Sequence, residues 1–269
     1  MCNNINQCDA EKAEQNVTSG NMMVSVIMPC HNGAIYLASA IQSVLDQTWK
    51  DWELLVVDDG STDNSVEIIK GFAQKDSRIQ CIELKKPSGS PTLPRNTGIQ
   101  AAQGRFIAFL DCDDMWLPTK LEKQLPLFED EKTAVVFSYY EKMDESGQRN
   151  ERIVRSPDTV KYSLLLKGNC IGNLTGVYDT QKMGKVFQKQ IRHEDYVMWL
   201  SILAQGWIAK NTKTCEAVYR ERRNSVSGNK LRVLGWVWDI YTNELKLSFL
   251  KSAYYFAFYI VKSSLKFLK

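Results

Sequence analysis

Three of the four residues in Asp111-Cys112-Asp113-Asp114 are carboxylates, and they follow directly on the apolar run Phe106-Ile107-Ala108-Phe109-Leu110. Side chains two apart in an extended chain share a face. The spacing therefore predicts that Asp111 and Asp113 face one object while Asp114 points away. Two clustered carboxylates repel each other unless a cation lies between them. Hard oxygen donors suit Mg²⁺ or Mn²⁺, ions that keep several waters and share their coordination with substrate phosphates. The alternative is an acidic loop that is only solvated, since a short Asp-x-Asp recurs by chance. Its place after an apolar run favours the metal reading.

Other acids stand at comparable junctions. Asp58-Asp59-Gly60-Ser61 follows the run Trp52 to Val57. A carboxylate there can accept the imide N–H of a uracil or hold a ribose hydroxyl. It can equally belong to a turn and helix cap made with Ser61 or Thr62, and both readings can hold at once. His193-Glu194-Asp195 precedes a segment that is apolar nearly all round. Adjacent helical residues diverge by about 100°, so the pattern predicts that one of the two acids faces a given site. A helix N-terminus stabilises the carboxylate anion, whereas a general base needs a pKa nearer the working pH. Helix capping is the competing role. Arg95 opens Arg95-Asn96-Thr97-Gly98, where it can reach a phosphate or base or remain a surface charge. His31 reads as a polar turn residue. No Ser–His–Asp or Cys–His set has sensible spacing. Neither G-x-G-x-x-G after a strand nor a P-loop is present.

The elements that must position these groups alternate between strand and helix. Val24 to Met28 is β-branched and stopped by Pro29, and His31-Asn32-Gly33 is a turn signal. A helix runs to Gln47, a strand from Trp52 to Val57, a helix from Ser65 to Lys75 and a strand from Ile79 to Leu84. After the loop Lys86 to Pro91, a helix from Asn96 to Gln103 leads into the run at Phe106. Such alternation predicts an α/β fold, a Rossmann-like, mostly parallel central sheet with flanking helices. Ligands of open α/β sheets bind beyond the carboxyl ends of the strands, where these acids stand. Further on, the pattern predicts a helix at Lys120 to Phe128, a strand at Ala134 to Tyr139 and an exposed hairpin around Met143 to Arg152. A buried helix from Asp195 to Leu203 and a closing strand from Cys215 to Arg220 follow. The expected organisation is a disordered polar tail over 1–22, one catalytic domain over 23–230, and a basic helical extension over 231–269.

The chain has 269 residues, 44% of them apolar and 24% charged, which is ordinary for a globular protein. A net charge of +3 gives no electrostatic reason to expect nucleic acid. Seven cysteines without a Cys-x-x-Cys pair predict a reducing compartment and free thiols rather than zinc. Residues 1–22 have no apolar centre and do not read as a secretory signal.

Taken together, these pieces resemble the family 2 glycosyltransferases of bacterial surface-polysaccharide synthesis. The matching text is Val24 to Pro29 with Asn32, Val57 to Asp63, Arg95 to Gly98, Phe109 to Asp114, and Glu194-Asp195 followed by Trp199-Leu200. Order and spacing match over roughly residues 24–225, which is far more specific than any single motif. The resemblance implies a GT-A fold and an inverting, metal-dependent transfer of one sugar from a nucleotide-sugar donor, a UDP-sugar by preference. By position, Asp59 resembles the family's base-binding aspartate. Asp111 and Asp113 resemble its Asp-x-Asp pair, with Asp113 the direct ligand of Mn²⁺ or Mg²⁺, and Asp195 resembles its general base. Pro29, Asn32, Asp58 and Arg95 would border or hold the nucleotide. The acceptor implied is a glycan or a lipid-linked sugar, and the expected location is the cytoplasm, at the inner face of the cytoplasmic membrane. The Gln-x-x-Arg-Trp signature of processive members is absent, so a single addition is expected. A sugar nucleotidyltransferase is the competing class, but its Gly-rich basic loop after the first strand is missing. A catalytically inactive binding module would not require Asp113 and Asp195.

The last stretch stands apart. No acid follows Glu244, while Lys246, Lys251, Lys262, Lys266 and Lys269 do. At helical spacing the last four fall within roughly 60° of one another, among Leu250, Tyr254, Phe256, Phe258, Tyr259 and Phe267. The uncharged run Ser252 to Val261 is too short to span a bilayer. A basic, aromatic amphipathic helix is the profile of an interfacial segment, predicting attachment to an anionic membrane with Phe256, Phe258 and Phe267 inserted. The alternative is packing on the domain or on a second subunit, as in a homodimer.

Overall fold

The computed structural model describes residues 22–221 and 230–265. The expected polar tail lies outside the described residues up to position 21, as do Lys266, Phe267 and Lys269. Four strands, β1 (Val24–Cys30), β2 (Trp52–Asp58), β3 (Ile79–Glu83) and β4 (Phe106–Phe109), are parallel in the spatial order β3-β2-β1-β4. The helices α1 (Ala34–Leu45), α2 (Ser65–Ala73) and α3 (Thr92–Ala101) connect them. Every residue of β1, β2 and β4 is buried, which is why their sequences run apolar without a break. Successive side chains still alternate between two cores. Val24, Val26 and Met28 pack with Leu37 and Ile41 of α1, while Ile27, Leu55, Ile107 and Phe109 pack on the opposite face with Ile99 of α3.

The rest of the sheet is mixed. The turn after β4 leads to β5 (Met115–Trp116), the short helix α4 (Lys120–Gln124) and β6 (Thr133–Met143). The exposed hairpin expected near residue 143 is β6 turning into β7 (Arg149–Val154). After β8 (Thr159–Val160) and α5 (Tyr162–Leu165), β9 (Val177–Asp179) inserts antiparallel between β4 and β6. Then follow α6 (Thr180–Met183), the buried helix α7 (Glu194–Leu203) and β10 (Ile208–Arg220), which runs parallel to β6.

Two boundaries differ from the expected ones for local reasons. Helix α3 begins at Thr92 rather than Asn96, because Pro94 is tolerated in a first turn. Arg95 therefore sits inside the helix. Gly98 is required on its inner face, since a Cβ there would lie 2.6 Å from Ile27 Cγ2. Strand β10 starts seven residues before the predicted Cys215. Its register shifts between Asn211 and Ala217 around Lys213 at φ +63, which scrambles the alternation a sequence reading relies on.

At the C-terminal end, α8 (Lys230–Asp239), a π-turn (Ile240–Glu244) and α9 (Phe249–Leu265) lie against the second core. Val237, Ile240 and Tyr241 are buried in it beside Tyr196 and Trp199 of α7. Among the described residues no helix is long and apolar enough to cross a membrane.

Candidate active site

The acids after β4 do not continue as a strand. Asp114 N–H donates to the Asp111 carbonyl at 3.0 Å, closing a turn. The extended-chain premise for Asp111 and Asp113 sharing a face is therefore corrected. The turn still places both on the wall of one cavity, with Cys112 between them. Asp114, expected to point away from the pair, is buried with its Oδ1 accepting from the Arg220 backbone N–H at 2.8 Å, yet it borders a second, larger cavity together with Asp111. Burial, aided by Asp113 and Asp111, pushes its carboxyl well above the usual range. Arg220, at the end of β10, also donates from Nε to the Asp113 carbonyl at 2.9 Å and lies over the Tyr36 ring at 4.1 Å. Arg220 thus pins the turn through the Asp114 carboxylate and the Asp113 carbonyl.

Arg95 is the centre of the site. It is only 4% exposed. Its guanidinium donates to both Asp111 oxygens at 2.7 and 3.0 Å, and to Glu194 Oε1 at 2.7 Å. Burial opposes the charge, but Asp111 and Glu194 together hold the guanidinium above its ordinary value. A buried cation is tolerated only with such pairing. Arg95 thereby ties the first acid of the turn to the first acid of α7. The second acid of α7, Asp195, takes a different environment. Its Oδ2 accepts from Asn169 Nδ2 at 3.1 Å. Burial, and then Glu194, lift its pKa to about 6, against the pull of Arg95.

Two cavities flank the Arg95–Asp111 pair and both include it in their walls. The smaller, about 400 Å³, is bounded by Pro29, Cys30, Asp59, Cys112 and Asp113. The larger, about 740 Å³, is bounded by Tyr140, His193, Glu194, Asp195, Tyr219 and Trp236. Of the residues singled out in the sequence, Pro29, Asp59, Arg95, Asp111 and Asp113 converge on the smaller cavity and Asp195 on the larger. Asn32 and Asp58 do not line either. Asn32 has φ +49 and is exposed, and its Oδ1 accepts from the Thr62 N–H at 2.8 Å, clamping two loops together. Asp58 is buried and accepts from the Ser61 N–H at 3.0 Å, the turn role weighed for it. Asp59 accepts from Ser88 N–H at 2.9 Å and Ser88 Oγ at 2.7 Å, so a loop residue distant in sequence orients it. Ser88, Asn169, Tyr219 and Trp236 carried no sequence signal, because only the fold brings them to the site.

The model of glycosyl transferase family 2 matches residues 25–188. The chain is 36% identical to the putative teichuronic acid biosynthesis glycosyltransferase TuaG of Bacillus subtilis (strain 168), over 90% of this chain and 96% of that protein. This chain belongs to glycosyl transferase family 2. It is also 36% identical, over 81% of its own length and 85% of the relative's, to the UDP-Glc:alpha-D-GlcNAc-diphosphoundecaprenol beta-1,3-glucosyltransferase WfgD of Escherichia coli. S. aureus TarS in complex with UDP-GlcNAc superposes with a TM-score of 0.67 at 20% identity, covering 89% of this chain and 72% of TarS. A mannosyltransferase of Pyrobaculum calidifontis in complex with GDP-Man and Mn²⁺ superposes with a TM-score of 0.63 at 14% identity, covering 90% and 72%. The glycosyltransferase therefore has the GT-A fold that its sheet order and rim of acids already describe.

The residues present fit a divalent cation of one kind. Asp113 and Asp111 are hard oxygen donors on one cavity wall, and both Asp111 oxygens already accept from Arg95. Among the described residues no three His, Cys, Asp or Glu gather around one point. So sparse a set suits Mg²⁺ or Mn²⁺ held largely by donor phosphates and water. It does not suit a closed structural zinc site.

Proposed function

We propose that this glycosyltransferase moves one sugar from a UDP-sugar to a hydroxyl of a lipid-linked or glycan acceptor during surface-polysaccharide assembly, inverting the anomeric centre. The observation that carries the proposal is the pair of cavities meeting at Arg95–Asp111, with Asp59 and Asp113 in one and Asp195 in the other. The smaller cavity is the donor side. Each Asp59 oxygen already accepts one bond from Ser88 and keeps a second lone pair, which suits the imide N–H of uracil. Cytosine offers no such N–H. TarS with UDP-GlcNAc and WfgD with its UDP-Glc donor support the same choice. Asp113, with Asp111, is the carboxylate that would hold Mg²⁺ or Mn²⁺, whose charge offsets that of the leaving diphosphate.

The larger cavity is the acceptor side. Asp195, with its pKa near 6, is ionised at neutral pH yet basic enough to take the acceptor hydroxyl's proton as that oxygen attacks the anomeric carbon. Arg95 fixes the two halves relative to one another, and such positioning is itself worth several kcal/mol in a two-substrate reaction. The test is calorimetry with UDP, CDP and GDP, followed by a screen of UDP-sugars for nucleotide release and NMR of the product's anomeric configuration. UDP should bind most tightly. Equal or reversed affinities, or a retained configuration, would remove the corresponding part of the proposal.

A lipid-linked acceptor calls for membrane contact, and α9 offers it on a face that keeps Phe258 and Lys251 of the expected set. Phe256 is not available for insertion, because its ring packs on Trp238 at 5.2 Å. The outward stripe is Leu250 (80% exposed), Tyr254 (53%), Phe258 (41%) and Val261 (57%), with Lys251 exposed beside it. Apolar side chains beside lysines favour an anionic interface. The enzyme should pellet with anionic vesicles at low salt and release at high salt. Leu250→Glu with Val261→Glu should release it at low salt too, and undiminished pelleting of that double variant would rule this face out.

A further inference from the structure

We propose that Cys30 and Cys112 form a reversible disulfide across the floor of the donor cavity, and that its formation halts transfer. The pair is set up by the strand register. β1 and β4 are parallel neighbours, aligned from Val24↔Phe106 to Ile27↔Phe109. The pairing ends there, and Cys112 lies in the turn that follows, two residues beyond Leu110, whose N–H still donates to the Ile27 carbonyl at 3.1 Å. Both side chains turn to the same face and join the same core. Gly33 shows how close the two sulfurs are. A Cβ on Gly33 would lie 2.8 Å from Cys112 Sγ and 3.0 Å from Cys30 Sγ, so a single point touches both. Position 33 has no side chain to separate them. Both thiols are reduced in this structure.

The pair also borders a cavity. Cys30 and Cys112 both line the smaller cavity, and Cys112 is the more exposed, 9% against 1%, so a small oxidant that enters meets Cys112 first. Cys81, Cys170 and Cys215 line neither of the two cavities at the site. The oxidant is a peroxide. One thiol gives a sulfenic acid and releases water, and the second thiol displaces the hydroxyl as another water, so two thiol hydrogens leave as a sulfur–sulfur bond forms. An S–S bond of about 2.05 Å draws the residues on either side toward each other. Those residues matter, because Cys112 is flanked by Asp111 and Asp113, and Cys30 follows Pro29. A misplacement on the order of 1 Å at a reacting centre lowers rates by about 10²-fold. This functional consequence rests on the proposed donor side of the site, whereas the bond itself does not.

The full-length enzyme is treated with hydrogen peroxide, with and without UDP, and digested under non-reducing conditions for mass spectrometry. The expected result is a peptide pair linked through Cys30 and Cys112, lighter by two hydrogens than the separate thiols. It should form more slowly with UDP present. Donor turnover should fall at least about tenfold and return with dithiothreitol. For Cys112→Ser and for Cys30→Ser, the ratio of untreated to peroxide-treated turnover should stay near one. Absence of the linked pair overturns the proposal. So does a linked pair with unchanged turnover, or an equal loss in both serine variants. If the reduced protein releases no nucleotide from any donor, the functional reading fails on its own, and the linked peptide still decides the disulfide.

Discussion

The acid turn after β4 and the first turn of α7 repeat one arrangement with different outcomes. In each, one acid is tied to Arg95 and another stands nearby on a cavity wall: Asp111 with Asp113, and Glu194 with Asp195. At the β4 turn the acids stand next to a buried cation and in a chain pinned by Arg220. That environment offers the proposed metal and diphosphate two carboxylates on one cavity wall. At α7, Asp195 is desolvated by burial and receives one side-chain hydrogen bond, from Asn169. Burial there raises the proton affinity, as a base requires. In the proposed mechanism one residue type serves two roles because the surroundings differ.

Removing the carboxylate of Asp113 should break the comparison on the donor side and have the largest effect. Asp113→Ala should abolish turnover, with a cooperative melting transition showing that the fold survives, since the Arg220 tie to the Asp113 carbonyl is kept in that variant. A chelator should do the same to the parent enzyme, with Mn²⁺ or Mg²⁺ restoring it. Full turnover in chelator would refute the metal role.

On the acceptor side, Asp195→Asn should lower kcat about 10²–10⁴-fold, the range of a lost general base, with UDP affinity unchanged. Glu194→Gln separates the two neighbours. It weakens a tie to Arg95 and removes a charge that raises the Asp195 pKa, but it leaves the proposed base in place, so its loss should be smaller. If Glu194→Gln instead causes the larger loss, the roles within α7 are reversed.

The difference between the two regions also governs what was legible in the sequence. The strands β1, β2 and β4 announced themselves because both faces are buried and their residues are apolar throughout. The acids at their ends were legible for the same reason, as an abrupt change of chemistry after a run. Arg95 was singled out, but not as the hub it is, because its partners Asp111 and Glu194 lie far along the chain. Asn169, Ser88 and Arg220 gave no signal, since each acts through a contact that exists only after folding. The lysine side of α9 was visible, but the choice of which aromatics face outward was not. That choice is made by Trp238 and Tyr241, which cover Phe256 and Tyr255.

The finest test lies in the pH dependence of Asp195. A base acts only when ionised, and Asp195 is ionised above a pKa of about 6. Turnover should therefore hold above that pH and fall about tenfold per unit below it. Two charged groups bear on Asp195: Glu194 raises its pKa and Arg95 lowers it. Asn169 lowers it as well, because an N–H donated to a carboxylate favours the charged form. The amide cannot be turned round, since its Oδ1 accepts from the Ile171 N–H at 3.1 Å. Asn169→Ala removes that donor, so the acid limb should move to higher pH and activity at pH 6 should drop more than activity at pH 8. Loosening the loop through the lost Ile171 contact would lower the whole profile without moving the limb. A limb that stays in place in Asn169→Ala would mean that Asn169 holds the loop and does not tune the base.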